Sequence, residues 1–202
     1  MRDRLIQTAI EKFGAHGLDG ASTRDIAAAA NTAMSSITYH FGGKEGLYQA
    51  AAEHIFTHLH TVLSSPPLPA LPGDAPDELR IDGICDMLGK AAAFMLQEES
   101  AAFALFISRE QQSPSPLVSQ LMRNHMELTI HPLTRQIALV RPDLDQTDIR
   151  ATTLFLFGMA VTLRHARASL GLLMDVDAID AELQERLIDR LRRIVRAALE
   201  GA

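Results

Sequence analysis

The spacing of apolar and polar residues predicts helices along most of the chain. From Leu5 to Phe13, apolar residues recur at intervals of three and four, as on the buried face of a helix. Caps, breakers and similar patterns predict further helices over residues 22–30, 34–40, 44–64, 78–98, 101–112, 116–139, 146–171 and 178–200. Few runs of β-branched residues remain to build a sheet. We therefore predict an all-α fold of about nine helices, with a three-helix N-terminal domain followed by a C-terminal helical bundle.

Residues 22–48 contain the most specific local pattern, two short helices joined by a tight turn. Ser22 is a predicted N-cap, and Asp25 three residues later completes a capping box. The alanine-rich helix that follows stops at Asn31, one of the few residues other than glycine that enters the left-handed region at low cost. In the second helix, Ile37 and Phe41 are spaced to pack inward. This arrangement is typical of a helix-turn-helix.

The outward face of the second short helix carries hydrogen-bonding side chains, namely Ser35, Ser36, Tyr39 and His40. Lys44 opens the next helix, where the helix dipole disfavours a cation. A lysine that breaks this local rule next to such a face indicates a contact to a nucleic-acid phosphate.

Residues 5–47 resemble the DNA-binding domain of the TetR (AcrR-type) transcriptional repressors. The resemblance depends on a Thr-x-x-x-Ile-Ala segment, a turn, a Tyr-x-x-Phe end and a following Lys-Glu pair. It implies phosphate contacts from Thr23, Tyr39 and Lys44, and contacts to base edges or neighbouring phosphates from Arg24, Met34, Ser35, Ser36 and His40. Asn31, Thr32 and Ala33 depart from the usual Gly-Val-Ser turn, which leaves open whether Thr32 caps the recognition helix in place of Ala33. The implied partner is a palindromic, double-stranded DNA operator.

The length of 202 residues fits a small domain fused to a larger one, and we place the DNA-binding domain at 1–46 and a ligand-binding and dimerisation domain at 47–202. The chain carries a net charge of −6, and the five basic residues before residue 51 are balanced by five acidic ones. This balance argues against indiscriminate binding to nucleic acid. DNA affinity must then come from the placement of individual side chains.

Two C-terminal helices carry more apolar surface than one small domain needs. Residues 154–161 are apolar on every face, and a leucine stripe follows the last helix among several arginines. Together they resemble the four-helix dimer interface that the TetR family builds from its last two helices. The residues expected in this interface are Leu154, Gly158, Val161, Leu183, Leu187, Leu191 and Ile194. The predicted partner is a second copy of the chain, although an ordinary internal core pair remains the alternative.

Phenylalanine and methionine side chains recur on the helices of the larger domain, where they suit a pocket for an apolar or amphipathic effector. The residues expected to bind it are Phe94, Phe103, Phe106, Arg109, Gln112, Met122, Met126, Phe155 and Met159. For Arg109 and Gln112, which we expect to couple a filled pocket to the helix that begins at Lys44, ordinary surface is the alternative. Residues 106–116 also resemble the CecR (YbiH-type) branch of these regulators, which implies control of an operon for efflux or drug sensitivity.

Other chemistry finds little support in the sequence. His54 and His58 share a helix face, but nothing near them completes a metal site, so we expect no bound metal and no cofactor. The absence of a nucleophile elbow or a phosphate-binding loop argues against an enzyme. The single cysteine, Cys85, fits a buried thiol in a reducing compartment. Without a signal peptide or an apolar run longer than 13 residues, we expect a cytoplasmic protein that does not enter membranes.

The sequence thus predicts a homodimeric repressor that a small molecule releases from its operator. One alternative is a repressor that binds DNA constitutively and is relieved by a protein antagonist. Another is a metal-responsive sensor that uses the histidines. The sequence identifies neither the operator nor the effector nor the regulated genes.

Overall fold

A computed structural model describes residues 1–64, 72 and 74–201. This part of the chain contains eleven α-helices, one π-helical segment and no strand, which confirms the predicted all-α fold. The first helices are α1 (Arg2–Gly20), α2 (Thr23–Ala29), α3 (Ser35–Phe41) and α4 (Lys44–Leu63). They are followed by α5 (Asp77–Leu96), α6 (Ser100–Gln112), α7 (Pro116–His125), the π-helical segment Met126–Ile130, α8 (His131–Val140), α9 (Gln146–His165), α10 (Arg167–Met174) and α11 (Ala181–Glu200).

Two of the predicted helices differ from the observed ones. The helix expected over 116–139 is continuous but contains the π-helical segment, which ends two residues before Pro132. Because proline has no N–H to donate and its ring clashes with the carbonyl four residues earlier, the widened turn accommodates it. The helix expected over 146–171 is interrupted at Ala166, so α10 is a separate short helix.

The contacts divide the chain into two compact units. The first comprises Met1–Leu59 and Glu99–His125, and the second comprises His60–Glu98 and Met126–Ala202. The first unit therefore includes α6 and α7 as well as the N-terminal helices. This division by packing does not coincide with the functional boundary that we predict after residue 46, which stays a prediction.

In the first unit, α1 packs mainly against α6. All five apolar positions predicted for its inner face are buried, namely Leu5, Ile6, Ala9, Ile10 and Phe13. The helices approach closely at Gly14, where an added Cβ atom would lie 3.1 Å from the Ala102 carbonyl oxygen. The ring of Tyr48 on α4 lies 4.8 Å from the rings of both Phe13 and Phe106, so aromatic contacts join three helices.

In the second unit, α5 lies against both α9 and α11. The core of this unit includes Ile84 and Leu88 from α5, Leu156 from α9, and Leu191 and Val195 from α11. Cys85 is buried in the same core, as expected, and burial raises the pKa of its thiol. A buried thiol with a raised pKa is a poor nucleophile.

Candidate nucleic-acid interface

The N-terminus of α2 carries the Ser22 cap that the sequence predicts. The Ser22 Oγ atom accepts a 3.3 Å hydrogen bond from the Asp25 backbone N–H. Thr23, in the first turn, is half-buried, whereas Arg24 is exposed. The end of α2 therefore presents one basic side chain and a hydroxyl beside backbone N–H groups, a combination suited to phosphate oxygens.

The turn after α2 is built around Asn31, which has a φ of 50°. Its N–H group bonds to the Ala28 carbonyl, and the Thr32 N–H bonds to the Ala27 carbonyl, a pairing known as the Schellman motif. Asparagine replaces the glycine usual at this position because it tolerates the left-handed conformation. The prediction that Asn31 makes the turn is confirmed.

The recognition helix α3 begins without a side-chain cap on its backbone. Met34 occupies the N-cap position, and no side chain accepts a hydrogen bond from the first N–H groups. The Thr32 hydroxyl instead lies 3.1 Å from the Ser36 hydroxyl, while the Ser36 and Ile37 N–H groups bond to carbonyls three residues earlier. Thr32 therefore does not cap the backbone of α3 in place of Ala33, and its hydroxyl contacts the Ser36 side chain instead.

The outward face of α3 is highly accessible. Tyr39 is 84% exposed and Met34 is 53% exposed, and the Tyr39 and His40 rings meet edge to face at 4.9 Å. Ser35 is also exposed, and Ser36 is half-buried. On the opposite face of α3, Ile37 is buried in the first unit. A tyrosine, a histidine and hydroxyl groups of α3, together with the methionine at its N-cap, are thus exposed on the surface of the first unit.

Two residues that the sequence did not single out fix this helix-turn-helix to α1. The Arg4 guanidinium donates a 3.2 Å hydrogen bond to the Asn31 carbonyl. Arg2 lies over the ring of Phe41, 5.5 Å from its centroid, and Phe41 itself is half-buried rather than fully inward. No local motif indicates these contacts because their partners lie 27 and 39 residues away.

Lys44 occupies the first turn of α4 after two glycines with positive φ, Gly42 and Gly43. Its Nζ atom donates a 3.1 Å hydrogen bond to the Asp19 carbonyl near the end of α1. The ammonium group is exposed at this contact and retains two more donors. The eight expected DNA contacts therefore lie on the N-terminus of α2, on or beside α3 and at the start of α4, and their role in binding stays a prediction.

The residues expected to bind an effector divide between the two units. Phe103, Phe106, Arg109, Gln112 and Met122 belong to the first unit, and Phe94, Met126, Phe155 and Met159 to the second. Phe94, Phe103 and Phe106 are buried, whereas Phe155 is 69% exposed and lies on the surface. Arg109 donates to the Gly14 and Ala15 carbonyls of α1 at 2.7 and 2.5 Å, so it braces that helix. The Gln112 side chain makes a long contact, 3.5 Å, to the Ser108 hydroxyl.

The predicted dimer surface needs one correction. Leu154 is 67% exposed, Ile194 is 41% exposed, and nothing lies within 4 Å of a Cβ atom placed on Gly158. Val161, Leu183 and Leu187 are half-buried. Leu191, however, is only 6% exposed and packs in the core of its own unit with Val195 and Leu199. Its place in the predicted interface is therefore wrong, because α11 carries two apolar stripes and Leu191 belongs to the inner one.

The three histidines of α4 each have a nearby partner. His54 Nε2 lies 2.9 Å from the Gln7 side-chain nitrogen, His58 lies 3.2 Å from a Glu99 oxygen, and His60 lies 3.2 Å from the Thr129 hydroxyl. Burial and the neighbouring His58 lower the pKa of His54. Within residues 1–64 and 74–201, no group of three or more potential ligands is arranged to hold a metal ion.

None of the helices described is both long enough and apolar enough to cross a membrane.

Comparison with known proteins agrees with this architecture. Residues 5–51 match the family model described as bacterial regulatory proteins of the tetR family, and residues 81–202 match the C-terminal domain of the HTH-type transcriptional dual regulator CecR. The CecR dual regulator of Shigella flexneri is 29% identical over 99% of this chain and 92% of its own length. The negative regulator IcaR of the biofilm operon icaADBC in Staphylococcus epidermidis is 26% identical over 65% of each protein.

Solved structures share the fold. The crystal structure of AibR in complex with isovaleryl coenzyme A and operator DNA superposes with a TM-score of 0.71, at 12% identity over 96% of each chain. A regulator from Pseudomonas aeruginosa PAO1 gives a TM-score of 0.69, at 15% identity over 100% of this chain and 91% of that one. With the CecR-type model covering more than half of its length and a tetR-type model covering its helix-turn-helix, the chain belongs to the TetR family of bacterial transcriptional regulators, in the group with a CecR-type C-terminal domain.

Proposed function

We propose that this protein is a homodimeric repressor that binds a palindromic DNA operator through α3 and leaves it when a small molecule binds. The observation that carries the proposal is the exposed face of α3, where Met34, Ser35, Tyr39 and His40 stand clear of the rest of the first unit. Side chains of these types make hydrogen bonds and apolar contacts in a major groove. The functional boundary after residue 46 and a cytoplasmic location belong to the same proposal.

Repression by a dimer follows from geometry and from the relatives. One recognition helix reads only a few base pairs, and two copies about 34 Å apart reach successive major grooves. The exposed apolar residues of α9 and α11, among them Leu154 and Ile194, supply a surface on which a second copy gains by covering them. IcaR is a negative regulator by name and CecR a dual one, so negative control is the activity we assign.

Binding of a small molecule is supported by AibR, whose crystal structure contains isovaleryl coenzyme A as well as operator DNA. The second unit also holds Phe94 in its interior and Met159 packed against its core, two of the residues expected to bind an effector. Phenylalanine and methionine side chains suit a pocket for an apolar molecule. We therefore assign an apolar or amphipathic effector, without naming it.

Two measurements test the proposal. Sequencing the DNA that the purified protein retains from a fragmented genome should yield an inverted repeat, and sedimentation should show a dimer alone and one dimer bound to that repeat. Tyr39→Ala together with His40→Ala should abolish enrichment, whereas Thr38→Ala, an exposed neighbour on α3 outside the predicted contacts, should not. Enrichment of DNA without a shared motif, or equal enrichment by the double variant, would contradict the proposal.

A further inference from the structure

The short helix α10 and the residues after it form an exposed apolar segment. Leu172 is 84% exposed and Leu173 is 80% exposed, and α10 has no buried residue. Met174 and Val176, which follow these leucines in the sequence, are exposed apolar residues as well. We call residues 172–177 the arm. Adjacent leucines exposed to this degree mark a contact surface more often than scattered single ones do.

The arm is acidic as well as apolar. Asp175 and Asp177 are both exposed, and neither forms an ion pair with any residue that the structure describes. No basic residue lies between positions 168 and 185, and Arg167, which lines the same hollow as Asp175 and Asp177, pairs with Glu98 instead. A partner surface for this segment should therefore be apolar and basic.

The second unit contains a groove with those properties. It lies between the π-helical segment, α8 and residues 146–157 of α9, and its apolar lining includes Met126, Ile149, Leu154 and Phe157. Its polar lining contains His131, Arg135 and Arg150, but no aspartate or glutamate. His131 is paired with Glu127, whereas the exposed Arg135 and Arg150 have no ion pair within the described residues. The groove thus complements the arm in both hydrophobicity and charge.

The arm of a chain is poorly placed to fill the groove of the same chain. From Ile149 to His165, α9 runs 16 residues, which corresponds to about 24 Å along the helix axis. The groove lies along residues 146–157 of α9, and α10 starts beyond the last residue of that helix. In a twofold dimer whose axis crosses α9 near the exposed Phe155, the two copies of α9 run antiparallel. The end of one α9 then lies beside the groove of the other.

We propose that the two protomers exchange arms, so that Leu172 and Leu173 of one chain cover the apolar lining of the other chain's groove. Asp177 then pairs with Arg135 or Arg150 of that groove. Each groove is completed by residues of the second copy, in addition to the contacts that α9 and α11 make in the dimer. This inference rests on the homodimer of the proposed function.

A charge-exchange experiment tests the proposal with the full-length chain. One variant carries Arg135→Glu and Arg150→Glu, and the other carries Asp177→Arg. Asp175 is left unchanged because its φ of 54° would strain most replacements. A dimer has two arm–groove contacts. In a homodimer of either variant, both arms face grooves of the same charge, whereas in the mixed dimer both arms face grooves of opposite charge. Native mass spectrometry of an equimolar mixture should therefore show mixed dimers well above the statistical half, with each homodimer dissociating at least tenfold more readily than wild type.

An apolar variant pair gives an independent readout. Leu172→Ser with Leu173→Ser should raise the dimer dissociation constant at least tenfold, while Leu79→Ser, at a residue of the same unit that is 50% exposed, should leave it unchanged. The amphipathic anion anilinonaphthalene sulfonate should bind the groove of the double variant and not that of the wild-type dimer. Arm exchange would be overturned if mixed dimers made up only the half that random pairing gives. It would also be overturned if wild-type dimers bound this probe through Arg135 and Arg150. Either result would leave the homodimer intact. A wild-type chain that sediments as a monomer would overturn the homodimer itself.

Discussion

The Tyr48 hydroxyl donates a 2.6 Å hydrogen bond to Oε1 of Glu110, a carboxylate that is only 2% exposed. The second carboxylate oxygen, Oε2, accepts hydrogen bonds from the backbone N–H and the hydroxyl of Ser115. Three donors therefore satisfy one buried charge and tie α4 to the C-terminal end of α6. Because an unsatisfied buried charge is costly, the removal of any of these donors should lower the free energy of unfolding.

Tyr48→Phe should lower the free energy of unfolding by about 1–3 kcal/mol, since it leaves one oxygen of the Glu110 carboxylate without its donor. Burial, followed by the adjacent Glu110, raises the pKa of Tyr48 above its ordinary value of 10.0. The folded state thus holds the phenolic proton more tightly than the unfolded chain, and this stabilisation is full below pH 10 and is lost as the pH rises further. Urea titrations at neutral and alkaline pH should show a steeper alkaline decline for wild type than for Tyr48→Phe.

The matched control is Tyr39→Phe, because Tyr39 is exposed on α3. It should change neither the stability at neutral pH nor the alkaline decline. Identical alkaline profiles for wild type and Tyr48→Phe would show that the hydroxyl of Tyr48 titrates alike in the folded and unfolded chain.

Lys44→Ala should weaken binding to every DNA sequence by a similar factor and lower the salt dependence of binding by about one ion per protomer, as expected for a lost phosphate contact. Its contact to the exposed Asp19 carbonyl contributes little to folding, so the melting temperature should hardly change. Fluorescence anisotropy at several salt concentrations measures both the affinity and the slope. Lys12→Ala changes the other lysine of the first unit and should alter neither. A change in sequence preference would instead indicate that Lys44 contacts bases.

Substitutions at Ser36 and His40 should change which operator the protein prefers more than they change its affinity for random DNA. Both side chains lie on α3, and base contacts carry the sequence information in a major groove. Selection from a random duplex library, performed in parallel on Ser36→Ala, His40→Ala and the control Thr38→Ala, compares the bound motifs. An unchanged motif for both test variants would remove the two residues from the predicted base contacts.

Much of the DNA-binding unit follows from local sequence, since a capping serine, a left-handed asparagine and a three- and four-residue apolar spacing act over a few residues. The Schellman turn at Asn31 and the buried face of α1 were predictable for this reason. The Tyr48–Glu110 hydrogen bond was not, because its partners are 62 residues apart and a glutamate near a helix end usually indicates surface. Leu191 was misplaced because both stripes of α11 have helical spacing, and only packing decides which one faces the core.

That distinction on α11 can be tested directly. Leu187→Asp with Ile194→Asp places charges on the outer stripe and should give monomers that keep their helical circular dichroism, because neither side chain is fully buried. Leu191→Asp should instead unfold the second unit, since an unpaired charge in the core costs several kcal/mol. Sedimentation and circular dichroism separate the two results. An intact dimer of the outer-stripe variant would place the interface elsewhere.

Substitution of Arg109 tests whether effector binding is coupled to the DNA-binding helices. Its guanidinium donates to the carbonyls of Gly14 and Ala15, so α6 holds α1 beside the kink at Gly17, where φ is 73°. Arg109→Ala removes both donors, and Arg109→Lys cannot reproduce the fork. If α6 transmits effector binding to α1, both variants should bind the effector as wild type does, or more weakly, and should remain on the operator.

Measuring effector affinity by calorimetry and operator release by anisotropy keeps the two steps separate. The control is Arg123→Ala, since Arg123 is exposed on α7 and its side chain bonds to Gln120, one turn away on the same helix. Loss of both carbonyl contacts should also lower the stability of the first unit by about 1–3 kcal/mol. If the Arg109 variants lose that stability but release DNA at the wild-type effector concentration, Arg109 braces α1 without coupling it to the effector. In that case, the next contact to perturb is the hydrogen bond between Tyr48 on α4 and Glu110 on α6.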